Sequence, residues 1–223
     1  MHKIQRHILH CLIQKKDLKF SELKPKGVES NLFIYHLNKL FKEGLVKKTN
    51  WRYNLTPAGK RFVDKLSLKD LKVRIQPKIV TLVACKNDEG EYLLYQRSHQ
   101  PFIGMVGFPY GKIHLGETVL QAAIRELKEK TGVQADMQHR GDVYLTTYEG
   151  KDLISQSLCH IFSAKNPKGD IKKKSPIGKC FWSDLKDLDK DNFFPGFKEV
   201  LSLLKKNSSN KHFFAEYMFK LRV

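Results

Sequence analysis

The sequence contains no uninterrupted apolar run near the roughly 20 residues that a membrane-spanning helix needs. The apolar patch at residues 8–13 is broken by His10 and followed by Lys15, Lys16 and Asp17, without a small-residue cleavage site, so no signal peptide and no membrane contact are expected. Cysteine is scarce. The four residues Cys11, Cys85, Cys159 and Cys180 lie far apart and form no C-x-x-C pair. That excludes a disulfide framework and argues against cysteine-bound zinc. It is the usage expected of reduced thiols in the cytoplasm. Internal repeats and long low-complexity linkers are missing too. Acidic residues are in short supply, with 23 Asp+Glu against 41 Lys+Arg and a formal net charge of +18. A hydrophobic content of 41% with 29% charged residues excludes a disordered chain.

The positive charge is unevenly placed. Residues 1–76 hold 18 Lys+Arg and 6 Asp+Glu, a net of +12, and the remaining 147 residues carry the other +6. Concentrated basicity favours a polyanionic partner, most simply nucleic acid, although a solubilising lysine-rich surface would look the same.

The pattern changes character near residues 67–78. Before it, apolar spacing is helical; after it, Ile79-Val80-Thr81-Leu82-Val83 begins strand-like runs. The expected domains are 1–70 and 77–223, with 71–76 as linker. In the first, a helix at 3–15 carries Ile4, Ile8 and Leu12 on one stripe. A short helix near 21–23 follows, then a helix at 29–43 with Phe33, Leu37, Leu40 and Phe41 inward. Gly44 suits the position after its end. A two-stranded hairpin follows, with its turn at Thr49-Asn50 and Trp51 in the second strand. Thr56 and Pro57 open another helix as N-cap and first residue. Tyr35 to Leu40, Glu43-Gly44-Leu45-Val46 and Leu55 to Lys60 resemble a winged helix-turn-helix domain of the MarR/ArsR type. The resemblance implies that the third helix enters the major groove of double-stranded DNA. Its outward residues would be Asn31, Tyr35, Asn38, Lys39 and Lys42, and the wing would offer Lys47, Lys48 and Arg52 to phosphates. A docking role without DNA is the alternative, and a homodimer is left open.

The chemistry-bearing stretch lies further on. Residues 79–85 and 91–97 read as a hairpin around Asn87-Asp88-Glu89-Gly90. A loop bearing Gly111 and Gly116 then leads into a helix ending at Gly132. Glu126 and Glu129 lie within one turn on that helix, where Mg²⁺ could take oxygen ligands and keep several waters. Crowded carboxylates need a cation among them. Arg125 is placed to pair with Glu117 and so tie loop to helix. Leu120, Ile124 and Leu127 at i, i+4, i+7 are expected to be buried.

These residues resemble the Nudix (MutT-like) box, G-x5-E-x7-R-E-U-x-E-E-x-G-U, with U aliphatic. Gly111, Glu117, Arg125-Glu126, Leu127, Glu129 and Gly132-Val133 fill eight of its nine positions; Lys130 stands where the family has a closing glutamate. The likeness spans roughly residues 78–204. It implies an α+β fold, an N-terminal winged-helix domain followed by a Nudix α/β/α sandwich with a mixed sheet. The activity implied is Mg²⁺- or Mn²⁺-dependent hydrolysis of a diphosphate linkage in a nucleoside-diphosphate derivative. Carried over by position, Gly111 (through its carbonyl), Glu126 and Glu129 hold metal. Glu117, Arg125, Glu126 and Glu129 form the catalytic set, and Arg97, Lys112 and Lys130 face the substrate. Glu149 and Asp152 are candidates for a later carboxylate. Phe102, Tyr110, Tyr144 and Tyr148 could stack on a base. Lys130 exchanges an anionic oxygen donor for a cation, which lowers affinity for one Mg²⁺. The alternative is therefore a transcriptional regulator that senses ADP-ribose or a similar metabolite with little hydrolysis; a weaker option is action on an RNA end. After the box, strands are expected at 142–147 and 153–164 and a helix at 197–205. The segment 207–223 gives no clear pattern.

Overall fold

The computed structural model describes residues 1–186, 192–207 and 211–221. The chain divides into two compact units, Met1–Gln76 and Pro77–Val223.

In the first unit the order is α1 (Lys3–Gln14), α2 (Phe20–Leu23), α3 (Ser30–Lys42), β1 (Val46–Thr49), β2 (Arg52–Leu55) and α4 (Pro57–Asp64). The helical stripes read from sequence form its core. Ile4, Ile8 and Leu12 of α1 pack with Phe33, Leu37 and Leu40 of α3, and Phe41 covers their edge. Thr56 caps α4 by accepting a hydrogen bond from the Gly59 amide at 2.9 Å, with Pro57 in the first helical position. The hairpin turn sits one residue later than expected, with Thr49 ending β1. Trp51 belongs to the turn, where Asn50 and Trp51 both adopt left-handed φ, 47° and 62°. A two-residue hairpin loop whose twist matches its strands requires that conformation at both central positions. The Trp51 ring is left in solvent, and the Lys48 ammonium lies over it at 4.1 Å. Residues 66–74 fold back on this unit through a Leu66–Val73 bridge and a hydrogen bond from the Arg74 amide to the Lys65 carbonyl.

The second unit contains β3 (Lys78–Cys85), β4 (Tyr92–Arg97), β5 (Val106–Gly107), β6 (Tyr110–Lys112), α5 (Val119–Thr131), β7 (Gln134–Glu149), β8 (Asp152–Lys168), β9 (Lys174–Ser175), β10 (Gly178–Ser183), α6 (Phe197–Lys206) and β11 (Phe213–Leu221). A mixed five-stranded sheet has the order β11-β7-β8-β3-β6, and a four-stranded antiparallel sheet has the order β5-β4-β10-β9. Alternation along β3 sends Val80 and Ala84 to one core with Phe197 and Val200 of α6. Val83 and Cys85 go to the other, with Ala123 and Leu127 of α5. Helices therefore cover both faces of the mixed sheet. All four cysteines are free, and burial pushes the Cys85 thiol up to about 12 and those of Cys159 and Cys180 up to about 11, which makes them packing residues. No described helix is long and apolar enough to cross a membrane.

Four further expectations are corrected. Residues 79–85 and 91–97 do not form the expected hairpin ladder: beyond a single Lys86–Tyr92 bridge, β3 enters the mixed sheet and β4 the antiparallel one. The strands expected at 142–147 and 153–164 are the middle of a far longer hairpin, because bulges re-phase β7 and let polar residues continue the ladder. The segment expected to be patternless holds β11, which pairs parallel to β7 from Phe213 opposite Gly141. Alternate residues from Phe213 are partly buried and those between them, Phe214, Glu216, Met218 and Lys220, are exposed, as an edge strand with one solvated face requires. On α5, Leu127 is fully buried, but Leu120 and Ile124 are 47% and 40% exposed. The helix rests on Ala122 and Ala123 instead, whose small side chains allow close approach to the sheet. That rotation also turns Glu126 inward.

Leu127→Ala should therefore destabilise the second unit by roughly 2–5 kcal/mol. Ile124→Ala should change it by only about 0.5 kcal/mol. Urea denaturation of the full chain followed by circular dichroism compares them; equal losses would contradict this placement of α5.

Candidate active site

Thr118 opens α5 with a capping box: its hydroxyl accepts from the Gln121 amide at 3.2 Å, and the Gln121 side chain accepts from the Thr118 amide at 2.8 Å. Gly132 ends the helix in the left-handed conformation, φ 82°. The helix is thereby held in register against β6, with Glu126 against the backbone of Gly111. A Cβ at Gly111 would fall 1.8 Å from the Glu126 carboxyl carbon, so only glycine admits this approach.

Arg125 organises the acids around it. Its Nε and Nη2 donate to the two oxygens of Glu117 at 3.0 and 2.7 Å. Nη1 donates to Glu126 Oε1 at 2.8 Å and to Glu129 Oε2 at 3.2 Å. Nη2 also reaches the Lys112 carbonyl at 3.0 Å. All five guanidinium N–H groups thus have an acceptor. Glu117 also accepts from the His114 amide at 2.5 Å. The Arg125 bonds, then that amide, hold the Glu117 carboxyl down at about 2. The same pairing raises the Arg125 pKa.

Lys130 is turned inward. Its ammonium lies 3.4 Å from Glu126 Oε2, donates to the Tyr110 carbonyl, and sits 4.6 Å over the Tyr110 ring. Burial lowers its pKa, with Glu126 opposing that shift. The position therefore supplies a tethered positive charge at the acidic cluster.

The structure gathers Gly111, Glu117, Arg125, Glu126, Glu129 and Lys130 at one place. The Lys112 side chain is exposed beside them. Arg97 approaches from β4, bound to the Tyr110 hydroxyl and to the His99 and Gln100 carbonyls. It lines a cavity with Lys78, Phe102, Tyr110, Leu145 and Phe194, on the sheet face opposite α5. Phe102 and Tyr110 thus stand where a base could stack, whereas Tyr144 and Tyr148 lie on β7 outside the cavity lining. Glu149 and Asp152 pair at the tip of the β7–β8 hairpin, about 20 Å along the strand from the level of Gly111. Lys78 was missed from sequence, because it reads as the polar start of a strand. Burial, then the charges of Lys112 and Arg97, lower its pKa, and its ammonium donates to the Ser155 hydroxyl at 3.1 Å.

In the first unit Asn31, Tyr35, Asn38, Lys39 and Lys42 are all exposed on α3, as are Lys47, Lys48 and Arg52 on the hairpin. Arg52 also donates to the Asp17 carbonyl at 2.7 Å.

A model of the NUDIX domain matches residues 76–204. The chain belongs to the Nudix family. Over 132 residues it is 27% identical to an ADP-ribose pyrophosphatase of Methanocaldococcus jannaschii, covering 59% of this chain and 76% of that protein. The MutT protein of Bacillus halodurans superposes with a TM-score of 0.51 at 21% identity, over 64% of this chain and 90% of that one. The Nudix domain of Shewanella oneidensis NrtR, solved with ADP ribose, superposes with a TM-score of 0.51 at 19% identity, over 70% of this chain and all of that one. These two structures share the fold.

The Nudix donor set fits one hydrated divalent cation. Glu126 and Glu129 are oxygen donors one turn apart, and the close approach at Gly111 leaves the first of them against bare backbone. Glu117 is taken up by Arg125, and Lys130 already balances charge on Glu126.

Because Glu117 titrates at about 2 when folded against 4.5 ordinarily, its pairing contributes stability above about pH 4.5 that is lost as pH falls toward 2. Glu117→Gln should lower the melting temperature at neutral pH. The gap to the native chain should then close across that acid window. A gap independent of pH would refute the assignment of the shift to Arg125.

Proposed function

We propose that this protein hydrolyses the diphosphate bridge of an ADP-ribose-type nucleoside diphosphate, using Mg²⁺ or Mn²⁺. The observation that carries this reading is the Arg125-held group of Glu117, Glu126 and Glu129 beside Gly111, next to an aromatic cavity. The 27% likeness to an ADP-ribose pyrophosphatase supports that substrate class. A bound cation would withdraw charge from the diphosphate and lower the pKa of a water. Glu126 and Glu129 would hold that ion, and a carboxylate oxygen of the pair would take the proton of the attacking water. Arg125 keeps the acids aimed while they do so. Lys130, as a fixed ammonium, offsets negative charge building on the phosphate oxygens. Lys78 and Arg97 supply positive charge in the cavity, and Phe102 and Tyr110 offer ring faces to the base. As water bonds to one phosphorus, the bridging P–O bond breaks. The products are a nucleoside monophosphate and a sugar phosphate.

Lys130 favours a second reading, in which the same site holds the nucleotide with little turnover. Assays with ADP-ribose and Mg²⁺ or Mn²⁺, in which an added phosphatase frees phosphate from the monophosphate products, separate the two. Turnover abolished by Glu126→Gln is expected, and Lys130→Glu should tighten Mn²⁺ binding as read by electron paramagnetic resonance. Ligand binding without product in the native chain would replace the hydrolase by the sensor.

We further propose that the first unit is a winged helix that binds double-stranded DNA with α3 in the major groove and the β1–β2 hairpin on phosphates. The exposed Asn31, Tyr35, Asn38, Lys39 and Lys42 of one helix face, and a net charge of +12 over residues 1–76, support it. Fluorescence anisotropy with duplex DNA should give affinity that falls steeply with salt. Lys47→Ala with Lys48→Ala should reduce the slope by about 2, roughly 1 per phosphate contact. Binding indifferent to salt would remove the proposal. The free cysteines are in keeping with a cytoplasmic location.

A further inference from the structure

The N-terminal half of β7 carries a second group of metal-ligating side chains, unrelated to the box. His139 Nε2 lies 3.0 Å from Asp142 Oδ1, and His160 Nδ1 lies 2.7 Å from the same oxygen. The three ligand atoms fall within 4.8 Å of one another. The His212 ring is centred 5.1 Å from that of His139.

The arrangement has local causes. In an unbroken strand, residues three apart face opposite sides. The bulge between His139 and Gly141 restores them to one face, so His139 and Asp142 point the same way. His160 is the direct cross-strand partner of Asp142. On the other side β11 pairs Phe213 with Gly141, which puts His212 at the same level. A Cβ at Gly141 would lie 2.2 Å from the Phe213 carbonyl oxygen, so the glycine is what lets β11 close in. Behind the cluster, the His139 ring rests on buried Phe162 at 5.1 Å. In front it is open: the side chains of His139, Asp142 and His160 are 34%, 35% and 18% exposed.

We propose that His139, Asp142 and His160 form a three-ligand site for a Zn²⁺-class transition-metal ion, with the fourth, tetrahedral position left to water. Two imidazoles and one carboxylate are donors such ions prefer, and a hard cation such as Mg²⁺ does not. Each neutral imidazole presents the nitrogen nearest Asp142 to the ion as a lone pair and carries its single proton on the far nitrogen. Bound there, the metal ties β7 to β8. The site is separate from the acidic cluster. Gly111, Thr81, His160 and Asp142 are successive register partners across the sheet, so the two centres are two to three strands apart, roughly 10–14 Å.

The test uses the full chain, stripped with chelator and titrated with Co²⁺ while the visible spectrum is recorded. Expected are one equivalent with the intense bands of tetrahedral cobalt, displacement by Zn²⁺, and a rise in melting temperature with Zn²⁺. His139→Ala with His160→Ala should lose the bands and the rise; His139→Gln with His160→Asn should do the same while keeping polar groups, with circular dichroism reporting folding of each. Glu126→Gln should leave the spectrum unchanged, which separates this centre from the diphosphate site. Absence of the bands in the native chain, or their survival in both double variants, overturns the proposal and leaves a hydrogen-bonded His-Asp-His group.

Discussion

The functional end of this molecule depends on a single guanidinium. Arg125 reaches three carboxylates and one carbonyl, using every N–H it has. Without such a cation, Glu117, Glu126 and Glu129 would repel one another and the loop from β6 to α5 would lose its side-chain tie to the helix. A lysine could balance the charge but could not bridge four acceptors from one plane. The pairing with Glu117 fixes the loop, and the contacts to Glu126 and Glu129 fix the acids that face the loop. Loop geometry and metal-site geometry are therefore one constraint.

Lys130 adds a second cation to the same cluster, with consequences of its own. Its ammonium is held between Glu126 and the Tyr110 carbonyl, over an aromatic ring and away from bulk water. Burial disfavours its charge and Glu126 restores it. Two basic and three acidic side chains share one small volume, so the site is less negative than a cluster of carboxylates alone. A phosphate-bearing ligand meets less repulsion there, and a divalent cation meets less attraction.

The mixed sheet sets two chemically different groups on one face, at one level. One register row runs from Gly111, under Glu126, through Thr81 to His160 and Asp142. Oxygen donors gather at one end and imidazoles at the other. The row exists because parallel and antiparallel neighbours are held in register by a core on each side, with α5 over one face and α6 over the other.

Local and covalent order carried much of this. The spacing of Gly111, Glu117, Arg125, Glu126 and Gly132 could be read directly, because loop, cap and helix lie within one short stretch and a helix fixes which residues neighbour each other. The stripes of α1 and α3 and the Thr56-Pro57 start of α4 were legible for the same reason. What sequence could not decide was whatever depends on distant partners. Leu120 and Ile124 have helical spacing, yet Ala122 and Ala123 face the core, because the sheet beneath sets the rotation of α5. Trp51 reads as strand until the turn's twist is imposed by its flanking pair. β11 finds its place only beside β7, and the bulge at Gly141 is visible only in the ladder. His139, Asp142 and His160 span 22 residues of chain and meet because two strands and a bulge put them on one face. Sequence sets the helix-borne chemistry through its own periodicity; the sheet-borne chemistry is set by register, which is a property of the whole fold.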